Sequence, residues 1–403
     1  MPRQSLSGST VVAGMTMVTI GSMTANIAAY LLALAGLRWL GPAGYGEFAS
    51  LLAAQLVLAV PALGLQTVVA REVVHGKSEP ALRALGYRSA AIVGAVALAL
   101  VPLMSWALDT SLGATSAALV AAPLLVLLAT EQGLLQGTGR FAELSVVLAG
   151  AGIARVAPAV AVLAVGGGPG PTLLAGAVGT GVMAFAARLI VARVPSGGEQ
   201  GGGTAIGVAT VLRASQVQLA LIALSSMDLV IARAVLDSHD AGLYAAGAVV
   251  TKAAFWLPQA IGVVLYPKMA NPKQSASAVR SAVGVLVALG AVVVVGAVVA
   301  APLAPILFGD EYAPVQGILW MFAWNGAALA VLQGVLLSAI AGERTHLAIV
   351  AWVGLAIEAA LMFTVADTVR QFVAVAMCVA TVTAATVAVL VLRSARSADV
   401  PTR

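Results

Sequence analysis

The sequence predicts an all-α polytopic membrane protein with about 12 transmembrane helices in two pseudo-symmetric six-helix lobes. Composition, charge distribution and an internal repeat lead to this fold class. Of the 403 residues, 61% are hydrophobic and only 9% are charged, whereas soluble domains carry about 25% charged residues. A membrane span needs about 20 apolar residues, so about a dozen spans leave almost no chain for a soluble domain.

Apolar runs separated by charged or Gly/Pro-rich segments define the predicted spans. The first run is too long for the apolar region of a signal peptide and lacks an obvious cleavage site, so we expect it to be retained. The spans are residues 10–37, 47–70, 88–107, 114–136, 143–165, 170–191, 207–235, 241–266, 281–303, 314–340, 346–366 and 371–392.

The basic residues agree with this number of spans. If the amino terminus is inside and the spans alternate, most Lys and Arg residues fall on the inner side, and only Arg38, Arg233 and Arg370 fall outside. Cytoplasmic loops of membrane proteins carry an excess of Lys and Arg. We therefore expect both termini in the cytoplasm of a bacterial-type plasma membrane. The same rule explains the net charge of +5 without a nucleic-acid partner.

A weak repeat relates the two halves of the chain. The stretch AGYGEFASLLA at 43–53 aligns with AGLYAAGAVVT at 241–251, and near the same offset Pro61 meets Pro258. We expect both stretches to form equivalent hairpins on the outer side, with glycine allowing a tight reversal. Two six-helix halves in the same orientation are typical of transporters whose substrate site lies between the repeats.

The domain boundaries follow from the Gly-rich stretch VPSGGEQGGGT at the midpoint of the chain. Such composition is typical of a flexible linker. We predict an amino-terminal lobe at 1–193, a cytoplasmic linker at 194–205 and a carboxy-terminal lobe at 206–403.

The sequence offers no set of residues for enzymatic or cofactor chemistry. Its one cysteine, Cys378, excludes an intrachain disulfide, and the three histidines lie far apart in the sequence. The stretch REVVHGKS at 71–78 resembles the end of a phosphate-binding loop, but Arg71 stands at the first glycine and no strand precedes it. We expect no catalytic site, no cofactor and no metal site.

Ionisable residues inside the spans are the strongest candidates for function. Arg155, Lys252 and Glu358 lie near the middle of their spans, and Asp228 lies off centre. Such residues are costly in a bilayer and usually face the bundle interior or a water-filled cavity. Two interpretations stay open for the cations: they form internal ion pairs with Glu358 or Asp228, or they bind an anionic ligand.

Helical spacing adds polar residues to this set. Lys252, Trp256 and Gln259 share one face of their span, which we expect Pro258 to kink. Polar stripes on the first two spans, which pack simply against neighbouring helices in the alternative interpretation, contain Asn26, Tyr30 and Gln55.

The segment 37–73, LRWLGPAGYGEFASLLAAQLVLAVPALGLQTVVAREV, resembles the first loop and second helix of Wzx-type polysaccharide biosynthesis flippases. These belong to the multidrug/oligosaccharidyl-lipid/polysaccharide exporter superfamily. Three further stretches, at 225–270, 305–315 and 336–350, resemble the same family in the same order. The likeness covers nearly the whole chain.

This resemblance implies two lobes around a central cavity that opens alternately to the two sides, and a lipid-linked oligosaccharide on a polyprenyl pyrophosphate-type carrier as substrate. It also implies that glycosyltransferases or a polymerase of the same pathway are partners of the protein. A cation at mid-depth attracts a diphosphate strongly because little water screens it. We therefore expect Lys252 and Arg155 to bind the anionic head, with Trp256, Gln259, Asn26, Tyr30 and Gln55 lining the cavity, and Glu358 or Asp228 to couple an ion.

Two other functions remain open at this stage. A cation-coupled multidrug antiporter of the same superfamily would need an acidic site in the first lobe, yet the first span has no carboxylate. The other is a non-transporting scramblase or a scaffold for glycan synthesis. A cavity without charges would favour that function, and the buried Lys and Arg argue against it.

Overall fold

A computed structural model describes residues 8–193, 207–256, 275–341 and 348–398. Every regular element within these ranges is helical, which confirms the all-α prediction. The predicted linker at 194–205, Pro258 and Gln259 lie outside the described residues.

We number the α-helices of the described residues α1 to α15 in chain order. Two short 3₁₀ segments, Ala301–Leu303 and Asp310–Ile318, flank α12. The helices are α1 Gly8–Leu58, α2 Val60–Val74, α3 Glu79–Ala107, α4 Leu112–Leu119, α5 Ala121–Gly137, α6 Phe141–Ala164, α7 Pro169–Ala192, α8 Val208–Leu224, α9 Met227–Val235, α10 Ser238–Trp256, α11 Ser275–Ala300, α12 Ala304–Phe308, α13 Leu319–Ala341, α14 Ala348–Thr364 and α15 Val369–Ala398.

The described part of the chain contains 9 helical stretches long and apolar enough to cross a membrane. The first of them, Thr16–Val74, contains two of the predicted spans, and Ile349–Thr364 is a further, shorter apolar helix. Helices suit the interior of a bilayer because they satisfy every backbone hydrogen bond internally. The chain is therefore a multi-pass membrane protein.

The first interhelical turn is much shorter than the sequence suggested. Within α1 the only residue with non-helical backbone angles is Gly41, with φ 65° and ψ 176°. Glycine adopts a positive φ without steric cost, and the proline that follows, Pro42, disfavours the helical region for the residue before it. The hairpin expected between the predicted spans 10–37 and 47–70 is thus a one-residue break between helical segments 8–40 and 42–58.

The predicted span 207–235 is interrupted. It consists of α8 and α9, separated at Ser225 and Ser226, and Ser226 has φ −144° and ψ −20°. Both serines are buried. Broken helices expose backbone groups at membrane depth and are tolerated where they are buried in protein or line a cavity.

The described contacts divide the chain into two compact units. Unit 1 comprises Met1–Trp39 and Ala54–Gln218, and unit 2 comprises Leu40–Ala53 and Leu219–Arg403. Residues 40–53 thus cluster with the second half of the chain, although they precede most of unit 1 in sequence.

Unit 1 is built around α5, which packs against α2, α3 and α7. Two glycines one turn apart, Gly133 and Gly137, let α5 approach the backbone of α2: a Cβ on Gly133 would lie 2.7 Å from the carbonyl oxygen of Gln66. Small residues at this spacing are typical of close helix pairs in membranes. Helix α1 packs on α6, where the Ser145 hydroxyl donates to the carbonyl of Met17 at 2.6 Å.

Unit 2 also contains a close helix pair that a glycine permits. Helix α13 packs against α10, α11 and α15, and Gly326 lies so close to α10 that a Cβ there would overlap the carbonyl of Thr251. The Thr251 hydroxyl donates to the carbonyl of Phe322 at 2.9 Å. The α10–α13 pair of unit 2 therefore resembles the α2–α5 pair of unit 1.

The two repeated stretches meet within unit 2. A Cβ on Gly46 would lie 2.9 Å from the amide nitrogen of Gly242, and a Cβ on Gly242 would overlap the carbonyl of Pro42. The glycines that suggested a loop at 43–46 thus lie in a helix and permit close contact with the start of α10.

Candidate functional site

The break between α8 and α9 places an acidic residue at a helix start. Asp228 is the second residue of α9 and is 3% exposed. The first turn of a helix carries unpaired N–H groups and the positive end of its dipole, and both stabilise a carboxylate. One of these groups, the amide of Leu229, donates to Oδ1 of Asp228 at 2.8 Å.

The other carboxylate oxygen of Asp228 is bound from α10. The hydroxyl of Tyr244 donates to Oδ2 of Asp228 at 2.7 Å. The Tyr244 ring is fully buried, and it makes edge contacts with Phe322 and Phe372 at centroid distances of 5.3 and 5.9 Å. An aromatic ring fixed on two sides holds its hydroxyl in place, so the position of the Asp228 carboxyl group is well defined.

A second buried carboxylate lies within electrostatic range of the first. Glu358 is 3% exposed on α14, which packs against α9. It is close enough to interact electrostatically with Asp228 and with Tyr244. Within the described residues the Glu358 carboxylate has no hydrogen-bond partner. Two adjacent buried carboxylates repel each other, so such a pair favours uptake of a proton or a cation.

Lys252 belongs to the same group of residues. It lies about two turns after Tyr244 on α10, is partly buried, and interacts electrostatically with Asp228. Of the two interpretations left open by the sequence, an internal pairing of Lys252 with Asp228 is thus consistent with the structure. We call Asp228, Tyr244, Lys252 and Glu358 the acidic cluster.

The acidic cluster joins three predicted site residues, Asp228, Lys252 and Glu358, with one that the predicted site omitted. Tyr244 lies 16 residues after its partner and on another helix, and it gave no signal beyond its place near the Lys252 face. Trp256 ends α10, and only its backbone is described. Within the described residues, no group of three or more His, Cys, Asp or Glu side chains could hold a metal ion.

The remaining predicted site residues belong to unit 1. Asn26 is exposed on α1, and Tyr30 and Gln55 lie on the two segments of that helix. The Tyr30 hydroxyl and the Gln55 side-chain amide nitrogen are buried, and neither has a hydrogen-bond partner among the described residues. Buried polar atoms are nearly always paired in proteins, so these two atoms are available to a ligand or to water.

Arg155 is a cation without a described counter-ion. It is partly buried in the middle of α6, beside Gly176 of α7, where a Cβ would lie 3.5 Å from its Cγ. It makes no hydrogen bond or ion pair with any residue that the structure describes. A charge at this depth needs an anion or water, so Arg155 is suited to bind an anionic group.

Three solved structures of similar proteins share this fold. One is an inward-facing multidrug resistance MATE family transporter of the MOP superfamily, with a TM-score of 0.67 and 12% identity over 96% of this chain and 100% of that one. The lipid II flippase MurJ in an inward closed conformation gives a TM-score of 0.70 at 12% identity, over 96% and 94%. A MOP superfamily transporter from Pyrococcus furiosus gives 0.64 at 13%, over 96% of each chain.

The chain has the fold of the MOP superfamily transporters. This confirms the predicted fold class, because the likeness covers almost the whole of each chain. No protein-family model and no curated protein sequence matches the chain. At such low identity the likeness defines the fold alone, and the narrower resemblance to polysaccharide flippases stays a prediction.

Proposed function

We propose that this protein is a flippase of the MOP fold that moves a lipid-linked oligosaccharide or polysaccharide precursor across the cytoplasmic membrane by alternating access. The observation that carries the proposal is Arg155, a mid-membrane cation with no described counter-ion. A diphosphate offers the multiple acceptor oxygens that a guanidinium binds in a fork geometry. One structurally similar protein is a lipid II flippase, so the fold is compatible with a lipid-linked substrate.

The polar atoms of α1 fit the same role. The Tyr30 hydroxyl and the Gln55 amide nitrogen can each donate a hydrogen bond that no described residue accepts. Sugar hydroxyls or phosphate oxygens are suitable acceptors. In this proposal Tyr30 and Gln55 help to bind the head group, together with Asn26, Trp256 and Gln259.

The acidic cluster couples this transport to a cation. While Asp228 is ionised, its charge attracts the Lys252 ammonium group. When the Asp228–Glu358 pair takes up a proton or a metal cation, that attraction weakens and attraction of Lys252 to the anionic head becomes relatively stronger. Substrate binding and cation uptake thus favour each other, as any coupling between two sites must be reciprocal.

The lobes and their orientation complete the proposal. Residues 1–193 and 206–403 form the two moving lobes, the linker at 194–205 joins them, and both termini lie in the cytoplasm. Head groups assembled by glycosyltransferases inside would reach a polymerase outside.

A head-group export assay in cells tests the role of Arg155. We expect Arg155→Gln to lower export by about 10- to 100-fold, because a hydrogen bond to a charged group contributes about 1.5–3 kcal/mol. Arg155→Lys should recover part of the loss. The matched control is Arg193→Gln, which changes an exposed arginine at the end of α7 and should leave export unchanged. Full export by Arg155→Gln at normal protein level would refute the assignment.

The acidic cluster itself favours a second candidate, a cation-coupled multidrug antiporter. Two buried carboxyl groups, Asp228 and Glu358, could bind a cationic drug or its counter-transported ion. Such a protein would expel cationic dyes in response to a sodium or proton gradient, and Asp228→Asn would abolish that efflux. The flippase proposal expects no dye efflux under either gradient.

A further inference from the structure

The inner ends of α3, α5 and α7 in unit 1 enclose a cavity of about 180 Å³. Its walls combine two arginines, a tyrosine, a threonine and the carboxylate of Glu131 with apolar side chains, among them Leu124, Leu127 and Phe185. The predicted topology places these helix ends on the cytoplasmic side. Basic pockets between membrane helices on this side are suited to lipid head groups.

Arg188 provides the unbalanced positive charge of the cavity. Its Nη1 donates to the Tyr87 hydroxyl at 2.6 Å, and its guanidinium carbon lies 6.0 Å from the centre of the Tyr87 ring. Among the described residues it has no carboxylate partner. An arginine has five N–H donors, so most of those on Arg188 remain available to a ligand.

Tyr87 holds Arg188 in place and has a donor of its own. Its hydroxyl oxygen accepts the bond from Arg188, and its hydrogen has no acceptor within the described part of the chain. Arg188 and Tyr87 therefore present adjacent N–H and O–H donors. This combination suits a phosphate group, whose oxygens accept several hydrogen bonds at once.

The other arginine of the cavity is already neutralised. Arg83 binds Glu131 through two hydrogen bonds of 3.0 and 3.1 Å and lies 3.1 Å from Glu79. These interactions fix Arg83 as a wall of the cavity, and together with its two carboxylate partners it forms a group with a net charge of −1. The attraction for an anion therefore comes from Arg188.

The surface next to the cavity is apolar and exposed. On α7 the exposed large side chains follow one face of the helix and end beside Arg188: they are Leu174, Val178, Val182, Phe185 and Leu189. In a membrane protein this face lies against acyl chains. A phosphate held at Arg188 would thus continue directly into hydrocarbon.

We propose that this cavity binds an anionic phospholipid of the inner leaflet, with the phosphate on Arg188 and Tyr87 and the acyl chains along the outer face of α7. Free phosphate offers the same head-group chemistry, but the apolar face favours the lipid. The site uses none of the residues proposed for transport, so it stands or falls independently of the flippase function.

Thermal unfolding of the purified full-length chain tests the proposal. The protein is measured in dodecyl maltoside with added phosphatidylglycerol, with added phosphatidylcholine, and with inorganic phosphate. A ligand that binds only the folded state raises the unfolding midpoint in proportion to the logarithm of its concentration over Kd. We expect phosphatidylglycerol to raise the midpoint, with little effect from the other two.

Variants locate the effect. Arg188→Gln should weaken the apparent Kd for phosphatidylglycerol by about five-fold or more, since one basic residue at an anionic surface contributes about that factor. Tyr87→Phe, which keeps the ring, should weaken it as well. The matched control is Arg88→Gln, an exposed arginine next to Tyr87 on α3 that does not line the cavity, and it should retain the wild-type response.

Three outcomes would overturn the proposal. Equal stabilisation by phosphatidylglycerol and phosphatidylcholine would exclude selection for an anionic head. Stabilisation by inorganic phosphate as large as that by the lipid would assign the site to a free anion. An equal loss in Arg88→Gln and Arg188→Gln would show a general effect of surface charge. If Arg188→Gln fails to fold, Tyr87→Phe alone decides among these outcomes.

Discussion

The contact between the two repeated stretches can be tested by adding one methyl group. Gly242→Ala places a Cβ where the carbonyl of Pro42 lies, and Gly46, one turn after Pro42, is in contact with the backbone of Gly242. The nearest atoms all belong to the main chain, so no side chain can rotate away. We expect the helical segment 42–58 and α10 to move apart.

The expected cost follows from two opposing terms. Overpacking a well-packed contact costs about 1–3 kcal/mol. Because the obstacle is backbone, Gly242→Ala should lie at the upper end of that range. Replacing glycine by alanine inside a helix gains about 1 kcal/mol. The net loss in the free energy of unfolding should therefore be about 1–2 kcal/mol.

A matched variant isolates the packing term. Gly296 also lies inside a helix, α11, but a Cβ there would meet nothing within 4 Å, so Gly296→Ala should be neutral or stabilising by up to about 1 kcal/mol. Both free energies of unfolding can be measured by SDS titration in mixed micelles. Equal stability of Gly242→Ala and Gly296→Ala would refute the close contact between Gly242 and Pro42.

Two further predictions concern buried polar pairs. Glu131→Gln removes the bidentate carboxylate partner of the partly buried Arg83 and leaves it with Glu79, so it should destabilise the protein by about 1–3 kcal/mol. Glu143→Gln, which breaks a more exposed pair, should cost less than about 1 kcal/mol, and similar losses in SDS titrations would contradict this difference. Tyr244→Phe removes the hydroxyl group that donates a hydrogen bond to Oδ2 of Asp228. We expect this change to lower the free energy of unfolding by about 1–3 kcal/mol. A thermal unfolding midpoint equal to that of wild type would argue against the bond.

The helical fold was predictable because a bilayer allows few solutions. A chain with this composition must satisfy its backbone internally, and the positive charges then restrict which ends lie inside. Neither inference needs knowledge of which helices touch. The predicted spans accordingly agree with the helices along most of the described chain.

The first interhelical turn was predicted at the right place but too long, for a physical reason. Glycine serves both to reverse a chain and to let two helices touch, and sequence alone does not distinguish these uses. Here Gly41 takes the positive φ, whereas Gly46 lies in a helix against Gly242. The distinction depends on a partner about 200 residues away in the sequence.

The helix break before Asp228 could not be predicted from the sequence either. Ser225 and Ser226 are ordinary residues in membrane helices, where serine hydroxyls often bond to the preceding turn. Asp228, Lys252 and Glu358 could be identified as candidate site residues, because placing a charged side chain inside a membrane costs free energy wherever it occurs. The bond from Tyr244 joins two helices, and no periodicity within one helix could predict it.

Transport of a lipid-linked anionic head group, as proposed for this protein, can be measured directly. The most direct measurement is translocation of a fluorescent polyprenyl pyrophosphate-linked sugar in proteoliposomes, followed by quenching with a membrane-impermeant reagent. We expect wild-type protein to accelerate translocation over protein-free vesicles, and Arg155→Gln to lose most of that acceleration. A wild-type rate equal to that of protein-free vesicles, in a preparation that expels cationic dyes under a sodium or proton gradient, would contradict the account.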